Sequence, residues 1–534
     1  MSNIESTRST IGERLLFILF IVYVFSIAAY AVELTDNEAG VIESGLKRSD
    51  LEVQNCAQLY SLTGERYTCG YLQVPEDYVK NNSPLIRVPF LLIKPEGDLF
   101  DVTLQPLLIT GGGGPGNALL GNRHFPPEDS SFWMYEEFSV VDGRPLLILE
   151  NRGVGLSQPN LDCHYPPEIY RQQFWSELLE SDLRCGLEYA AEGVDLSQYN
   201  VHNAALDIEM FRRLSANLGI NTSQLNLYGV SYGTRVAMYY ERMFPSATRT
   251  LVLDSVALND PDAAADELAY AQQSLDLVFS RCRADADCRK AFGTELEPDF
   301  YRFLDSLDES EISLSVHWPD KELPIEVPLS ATLVIDILHN ALYGSDSFAS
   351  TPLMIRQLIE GSYGNFISAF NEYVAGYSPK YYFSDTAFIT YLCYDVDYST
   401  KNTDTPASRT KVTSLQLSDY WDLESGREYM HDVCSNYGAL PGTDLLQQSF
   451  SSDTPVLFLS GELDPVTPPA SALKATVHYS YHWHITRSNS SHDVISHSPC
   501  ARFLASWFLY HPEEDLDLRI EECEPEEDLQ FLLD

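Results

Sequence analysis

Positive charge is what this chain has least of. Across 534 residues, 34 Lys and Arg stand against 78 Asp and Glu, a formal net charge of -44, and a surface of that sign repels nucleic acid and acidic membrane headgroups alike. The sequence also lacks any C-x-x-C, and no histidines gather at ligand spacing. Neither a metal site nor a bound cofactor is therefore expected. Hydrophobic residues make up 44% of the chain, as in globular proteins, and the length calls for several domains or for one domain with a large insertion.

What the chain does have begins at its N-terminus. Arg8 and Arg14 precede an apolar run, LLFILFIVYVFSIAA, that ends in Ala29-Tyr30-Ala31. This is the pattern of an export signal over residues 1–31, with cleavage after Ala31 as the preferred reading. The alternative is an uncleaved anchor, because Leu15 to Val32 nearly spans a bilayer and Glu5 and Glu13 cancel the two arginines. No cysteine stands directly after the cleavage site, which argues against a lipoprotein. Ten cysteines lie beyond it, an even number in a chain that would meet an oxidising periplasm or cell exterior. They could pair in roughly 900 ways by the usual counting. Pairing of sequence neighbours is the most economical, giving Cys56–Cys69, Cys163–Cys185, Cys282–Cys288, Cys393–Cys434 and Cys500–Cys523.

The most informative stretch is Leu225 to Pro245, LNLYGVSYGTRVAMYYERMFP. An apolar strand leads into Gly229-Val230-Ser231-Tyr232-Gly233, and a helix follows until Pro245 stops it. In a G-x-S-x-G turn the serine is held in a strained conformation, and the glycines remove Cβ atoms that would collide with the flanking elements. Ser231 is thus the candidate nucleophile. The amide of Tyr232, near a helix N-terminus, is a candidate donor to a developing oxyanion.

Upstream, Val53 to Pro75 and Leu85 to Lys94 read as antiparallel strands leading into a sheet. Gln105 to Thr110 is a strand that stops at Gly111-Gly112-Gly113-Gly114-Pro115-Gly116, a loop of bare N–H groups of the kind an oxyanion hole needs. Pro145 to Leu149 is another strand. In the turn after it, ENRGVGLS, Arg152 is read as a structural clamp. A helix over Asn203 to Leu218 and a strand over Arg249 to Asp254 flank the serine turn. Alternation of strand and helix then lapses until Pro455 to Ser460. Helices such as Ala263 to Arg281 and Leu353 to Tyr373 fill the interval, which is expected to be a cap inserted at 258–447 between the two parts, 52–257 and 448–534, of one catalytic domain. Asp464 follows the returning strand. His478 to Thr486 precedes Ser490-Ser491-His492-Asp493, Cys500 to Tyr510 is a closing helix, and Glu521 to Asp534 is read as a solvated acidic tail.

Serine needs a base within reach, and the base a carboxylate to fix its tautomer. Ser231, Asp464 and His492 stand in the chain order of the α/β-hydrolase fold, each beyond a strand. Asp464 is preferred to Asp254, so an asparagine at 254 is expected to be tolerated, and His492 is preferred to His497 and His484. Taken together, CGYLQVPEDY, GGGGPG, ENRGVGLS, GVSYGT, SGELDPVTPP and SSHDVISHSPC resemble the proline iminopeptidase and tripeptidyl aminopeptidase group of α/β hydrolases. The likeness runs from about Cys56 to about Phe508 and is weakest through the cap. It implies a mostly parallel sheet with a helical cap, and a serine exopeptidase acting on peptides with a free N-terminus. It also implies that Gly113 or Gly114 shares the oxyanion with Tyr232. Glu150-Asn151 replaces the group's usual Asp-Gln, and Thr-Gly-Gly-Gly-Gly its His-Gly-Gly. Two other functions fit the same residues less well: a carboxylic-ester hydrolase on the same triad, and a non-catalytic binding protein. An aminopeptidase must pair a buried substrate ammonium, and Asp260, Asp262, Asp266 and Glu267 in the cap are available for this.

Overall fold

The apolar runs of the sequence become strands in the computed structural model: β1 (Asp50–Gln54), β2 (Tyr67–Pro75), β3 (Leu85–Ile93), β4 (Leu107–Ile109), β5 (Leu146–Leu149), β6 (Leu225–Val230) and β7 (Thr248–Asp254), then β8 (Ser313–Val316), β9 (Ile325–Pro328), β10 (Val456–Gly461) and β11 (His482–Arg487). The structure describes residues 36–533 except 96, 98, 99, 113, 122–142, 164–173, 259–262, 308–310, 318–322, 376–382, 399–413, 422, 439, 440, 443, 444 and 524–528. The N-terminal segment read as an export signal, Gly113, Asp260 and Asp262 therefore lie outside the described residues. Among those described, no helix is long and apolar enough to cross a membrane.

Nine strands form one sheet in the order β1-β2-β3-β5-β4-β6-β7-β10-β11. The first three join antiparallel, and every pairing from β5 to β11 is parallel. Central strands β4, β5, β6 and β10 are buried along their whole length, which is why they read as unbroken apolar runs. Alternate residues serve opposite faces. Leu108, Leu147, Leu227, Leu251 and Phe458 enter one core, while Leu107, Ile109, Ile148, Val252 and Leu457 enter the other.

Helices α1 (Val201–Ser215) and α2 (Tyr232–Met243) cover the first of these faces. Asn200 caps α1 by accepting the Asn203 amide at 2.9 Å. Arg152 is fully buried and grips Asp207 of α1 through two nitrogens, at 2.8 and 2.6 Å, while donating to the carbonyls of Glu76 and Gln198. It is the clamp expected of it.

The inserted residues divide in two. One part, which includes α3 (Ala263–Ala284) and α4 (Ala331–Ala341), builds its own core from residues between Leu268 and Val374 together with Leu417. Within it the β8–β9 hairpin stands apart from the main sheet. The single helix expected over Leu353 to Tyr373 is two, Ser345–Ile359 and Gly364–Ala375, because Gly361 takes a left-handed φ of 78° that ends the first. The second part, α5 (Asp385–Asp395) and α6 (Leu423–Tyr437), instead sends Ala387, Ile389, Tyr391 and Val433 into the core beside the sheet. All ten cysteines pair as sequence neighbours, and Cys393–Cys434 ties α5 to α6. In the acidic tail Glu521 and Glu522 are exposed, as expected, but the tail is also tethered. Cys523 is bonded to Cys500, Phe531 packs on the inserted core, and the Leu532 amide donates to the Ala349 carbonyl at 3.1 Å.

Candidate active site

Ser231 follows the last residue of β6 at φ 54° and ψ -124°, a conformation that L-residues rarely adopt. Its neighbours explain why the turn needs glycine. A Cβ on Gly229 would lie 2.3 Å from the Gly233 carbonyl oxygen, and one on Gly233 would lie 2.5 Å from that of Gly111. The turn also rests on the glycine-rich loop, since Thr110 Oγ1 donates to the Gly233 carbonyl at 2.8 Å. At the start of α2, Tyr232 OH and Arg235 Nε both donate to Asp395 Oδ2 of α5, at 2.6 and 2.9 Å. The helix that carries the candidate nucleophile is thereby bonded to the insertion.

The glycine loop has its own supports. Gly111 packs against Asn151 and Gly112 against Val230, so tightly that a Cβ at either would sit 2.4 or 2.7 Å from the neighbour. Gly114 has a left-handed φ of 71° and faces Phe383 and Phe388, and the Gly116 carbonyl accepts the Ser384 amide at 2.7 Å. Asn151 Nδ2 donates to the Pro115 carbonyl at 3.3 Å, and the Leu120 amide donates to Glu150 Oε1. Burial pushes the Glu150 carboxyl up to about 8. The ENRG turn thus holds the loop, a role of Glu150 and Asn151 that nothing in their own sequence signals. Gly112, beside the residue that precedes Ser231, joins Gly114 as a candidate for the oxyanion loop.

Asp464 lies just beyond β10 with its side chain shut from solvent. Its Oδ1 accepts the amides of Val466 and Thr467, each at 2.9 Å, and its Oδ2 accepts Thr467 Oγ1 at 2.7 Å and His492 Nδ1 at 2.8 Å. Burial alone would raise this carboxyl. His492 and the two amides outweigh it and hold Asp464 below the usual carboxylate value. For His492 burial would lower the value, but Asp464 outweighs burial and, with Asp493 and Asp254, leaves the imidazole raised above 6.5. A proton on Nδ1 is fixed by its carboxylate partner. His492 Nε2 is buried and takes no hydrogen bond from the described residues, so an acceptor nitrogen is left available.

The loops that carry Asp464 and His492 are held by the inserted lobe. Ser274 Oγ of α3 donates to the Leu463 carbonyl at 2.7 Å, and Arg281 of the same helix reaches Glu462 and Asn489. The His492 amide donates to the Tyr343 carbonyl at 3.2 Å, and the Tyr343 ring stands edge-on to the imidazole at 5.0 Å. Nearby, Asp336 of α4 is pushed up to about 7 by burial and by Glu267 of α3. Glu267 is itself raised by burial. Glu267 also acts electrostatically on Tyr343 and Tyr398. Of the other candidate acids, Asp266 is bonded to Lys474. The rival bases are placed otherwise: His497 is exposed, and His484 Nε2 bonds Ser460 Oγ at 3.0 Å. Among the described residues no cluster could hold a metal ion. Sequence reasoning missed Thr467 and Asp336. The two prolines after Thr467 mark a turn, but nothing marks either residue as facing its partner.

Residues 422–518 match the family described as TAP-like protein. A tripeptidyl aminopeptidase of Streptomyces lividans is 29% identical over 229 residues, covering 41% of this chain and 40% of that protein. Serine protease Hip1 of Mycobacterium tuberculosis is 26% identical over 250 residues, 43% of each chain. The matched stretches thus span less than half the length of these relatives. Among solved structures, acetyl xylan esterase 1 from Thermoanaerobacterium sp. is 12% identical, with 89% of this chain and 92% of that one covered at a TM-score of 0.37. The mostly parallel sheet of this strand order, with a strained serine turn after β6, is the expected α/β-hydrolase fold, and residues 422–518 give it a TAP-like C-terminal region.

Proposed function

We propose that the chain is an exported serine exopeptidase that cleaves peptide bonds near free N-termini through Ser231, Asp464 and His492. The observation that carries this reading is the state of His492: Nδ1 is bonded to Asp464 and Nε2 is buried with no partner among the described residues. His492 Nε2 takes the proton of Ser231 Oγ as that oxygen adds to the scissile carbonyl. The resulting oxyanion is met by the Tyr232 amide and by an amide of the glycine loop, for which Gly112, Gly113 and Gly114 are the candidates. His492 then gives the proton to the leaving amine, and the C–N bond breaks to leave an acyl-enzyme. Water, deprotonated by His492, attacks that ester and frees Ser231.

Peptides are favoured over simple esters by Glu267 and Asp336. Their carboxyls are both raised by burial, and Glu267 raises Asp336 further, so a substrate ammonium pairing with them would be favoured, whereas an ester without an amine leaves them unpaired. Export is supported by the N-terminal segment and by five disulfides. The division into a catalytic domain (52–257 and 448–534) and a cap (258–447) is part of the same proposal, with α5 and α6 packed on the catalytic core. As the test, Ser231→Ala should abolish both turnover and labelling by a fluorophosphonate while far-UV circular dichroism is unchanged. A panel of matched peptides with free and blocked N-termini, and of esters, then reads the substrate class. Equal kcat/KM on free and blocked peptides would refute the N-terminal specificity.

A further inference from the structure

Four residues other than glycine have a left-handed φ among the described residues, and three of them meet at one place. Ser231 (54°) follows β6, Ser255 (55°) follows β7, and Asp493 (59°) follows the candidate base. Asp254, the last residue of β7 and fully buried, connects all three. Its carbonyl accepts the Ser231 amide at 2.9 Å. Its side chain accepts the Val494 amide at Oδ1 and the Ile495 amide at Oδ2, both at 2.9 Å. Ser255 Oγ donates to Asp254 Oδ1 at 3.1 Å and accepts the Asp493 amide at 3.0 Å. Tyr228 OH of β6 donates to Asp254 Oδ2 at 3.2 Å and reaches Asp493 Oδ1 at 3.5 Å.

We propose that Asp254 is a positioning residue that sets the spacing between nucleophile and base, holding Ser231 by its main chain and the His492 loop by its side chain. The inference rests on the triad reading given above. No other residue described bonds both the Ser231 amide and the turn that follows His492. A carboxylate is suited to the task because the Val494 and Ile495 amides fall on its two different oxygens, one of which asparagine replaces with an NH₂ donor. Strained backbone on both sides shows that the spacing is imposed by the surroundings. Asparagine at 254, which the sequence alone suggests is tolerated, would set one of the two amides against an NH₂ group in a buried site.

Displacement of a reacting group by about an ångström can cost about 100-fold. In Asp254→Asn, kcat per active site should fall by about 10- to 100-fold, with KM changed less than about twofold. Active sites are counted by end-point fluorophosphonate labelling. A residue that only aids folding would lower the labelled fraction and leave kcat per labelled site at the wild-type value, and that result overturns the proposal. Ser255→Ala removes one link and keeps the carboxylate, and should lose about three- to tenfold per labelled site. If Asp254→Asn does not fold, Ser255→Ala decides alone, and wild-type kcat per labelled site in it overturns the proposal. Ser231→Ala and His492→Ala run alongside: turnover retained in either refutes the triad itself, a failure distinct from wild-type behaviour at 254 and 255.

Discussion

At the residue scale, the proposed chemistry depends on how two buried groups settle their charge. The His492 imidazole is raised above 6.5 chiefly because Asp464 outweighs the effect of burial. A base acts only when neutral, so kcat/KM on a substrate of constant ionisation should rise with pH through a midpoint above about 6.5. Asp464→Asn should shift that midpoint downward and lower kcat by about 10⁴-fold through a misheld tautomer. The pair's effect on stability has the opposite sense at its two ends. A raised histidine stabilises fully below its unfolded value and loses that contribution as pH rises through its folded one. A depressed Asp464 stabilises above its unfolded value and loses that contribution as pH falls through its folded one. Urea melts of wild type and His492→Gln at stepped pH should therefore converge above the midpoint of the activity profile. Persistent divergence at high pH would show that packing, not the ion pair, separates them. Thr467 belongs to the same unit, since its hydroxyl touches both Asp464 and His492, the latter at 3.1 Å.

At the scale of elements, what the sequence revealed was whatever is local. A strand, five residues and a helix around Ser231 are written in adjacent positions, and so are the strand ends before Asp464 and His492. The apolar runs of the central strands could hardly be anything else. Features made by distant approach were not legible. Glu150 and Asn151 hold a loop some thirty positions earlier, Asp336 meets Glu267 from another helix, and Asp254 looked like a spare carboxylate. The break at Gly361 was missed because apolar spacing continues across it, and only a left-handed φ separates the two helices. Glycine at 233, by contrast, has a stated reason. Gly233→Ala must displace the Gly111 carbonyl that a Cβ would approach to 2.5 Å. The variant should lose about 1–3 kcal/mol in denaturant unfolding and most of its activity. Gly193→Ala has no neighbour within reach and only its φ of 85° to oppose it, so it should keep wild-type kcat.

At the scale of the whole molecule, the inserted residues both build a core of their own and pack into the core beside the main sheet. Helix α5 places Asp395 against Tyr232 and Arg235, and sends Tyr391 into the packed layer beside the sheet. Its partner α6 lies across a segment of 41 residues, and Cys393–Cys434 closes that loop. Cross-linking a loop of that length restricts the unfolded chain by about 4 kcal/mol in the entropic account. The double variant Cys393→Ser/Cys434→Ser should therefore lose about 2–4 kcal/mol and several degrees in Tm. Because α5 also grips the start of the helix that follows the proposed nucleophile, kcat of this variant should fall at temperatures well below the new Tm. Cys282–Cys288, within the separate lobe, closes a segment of only 6 residues. Its removal should cost less stability and leave kcat per labelled site unchanged. If the two double variants lose activity equally at equal distance below their Tm values, the grip of α5 on Tyr232 and Arg235 has no part in catalysis. Free thiols in denatured, unreduced wild type should number zero, and two should appear in neither double variant, since each removes a complete pair.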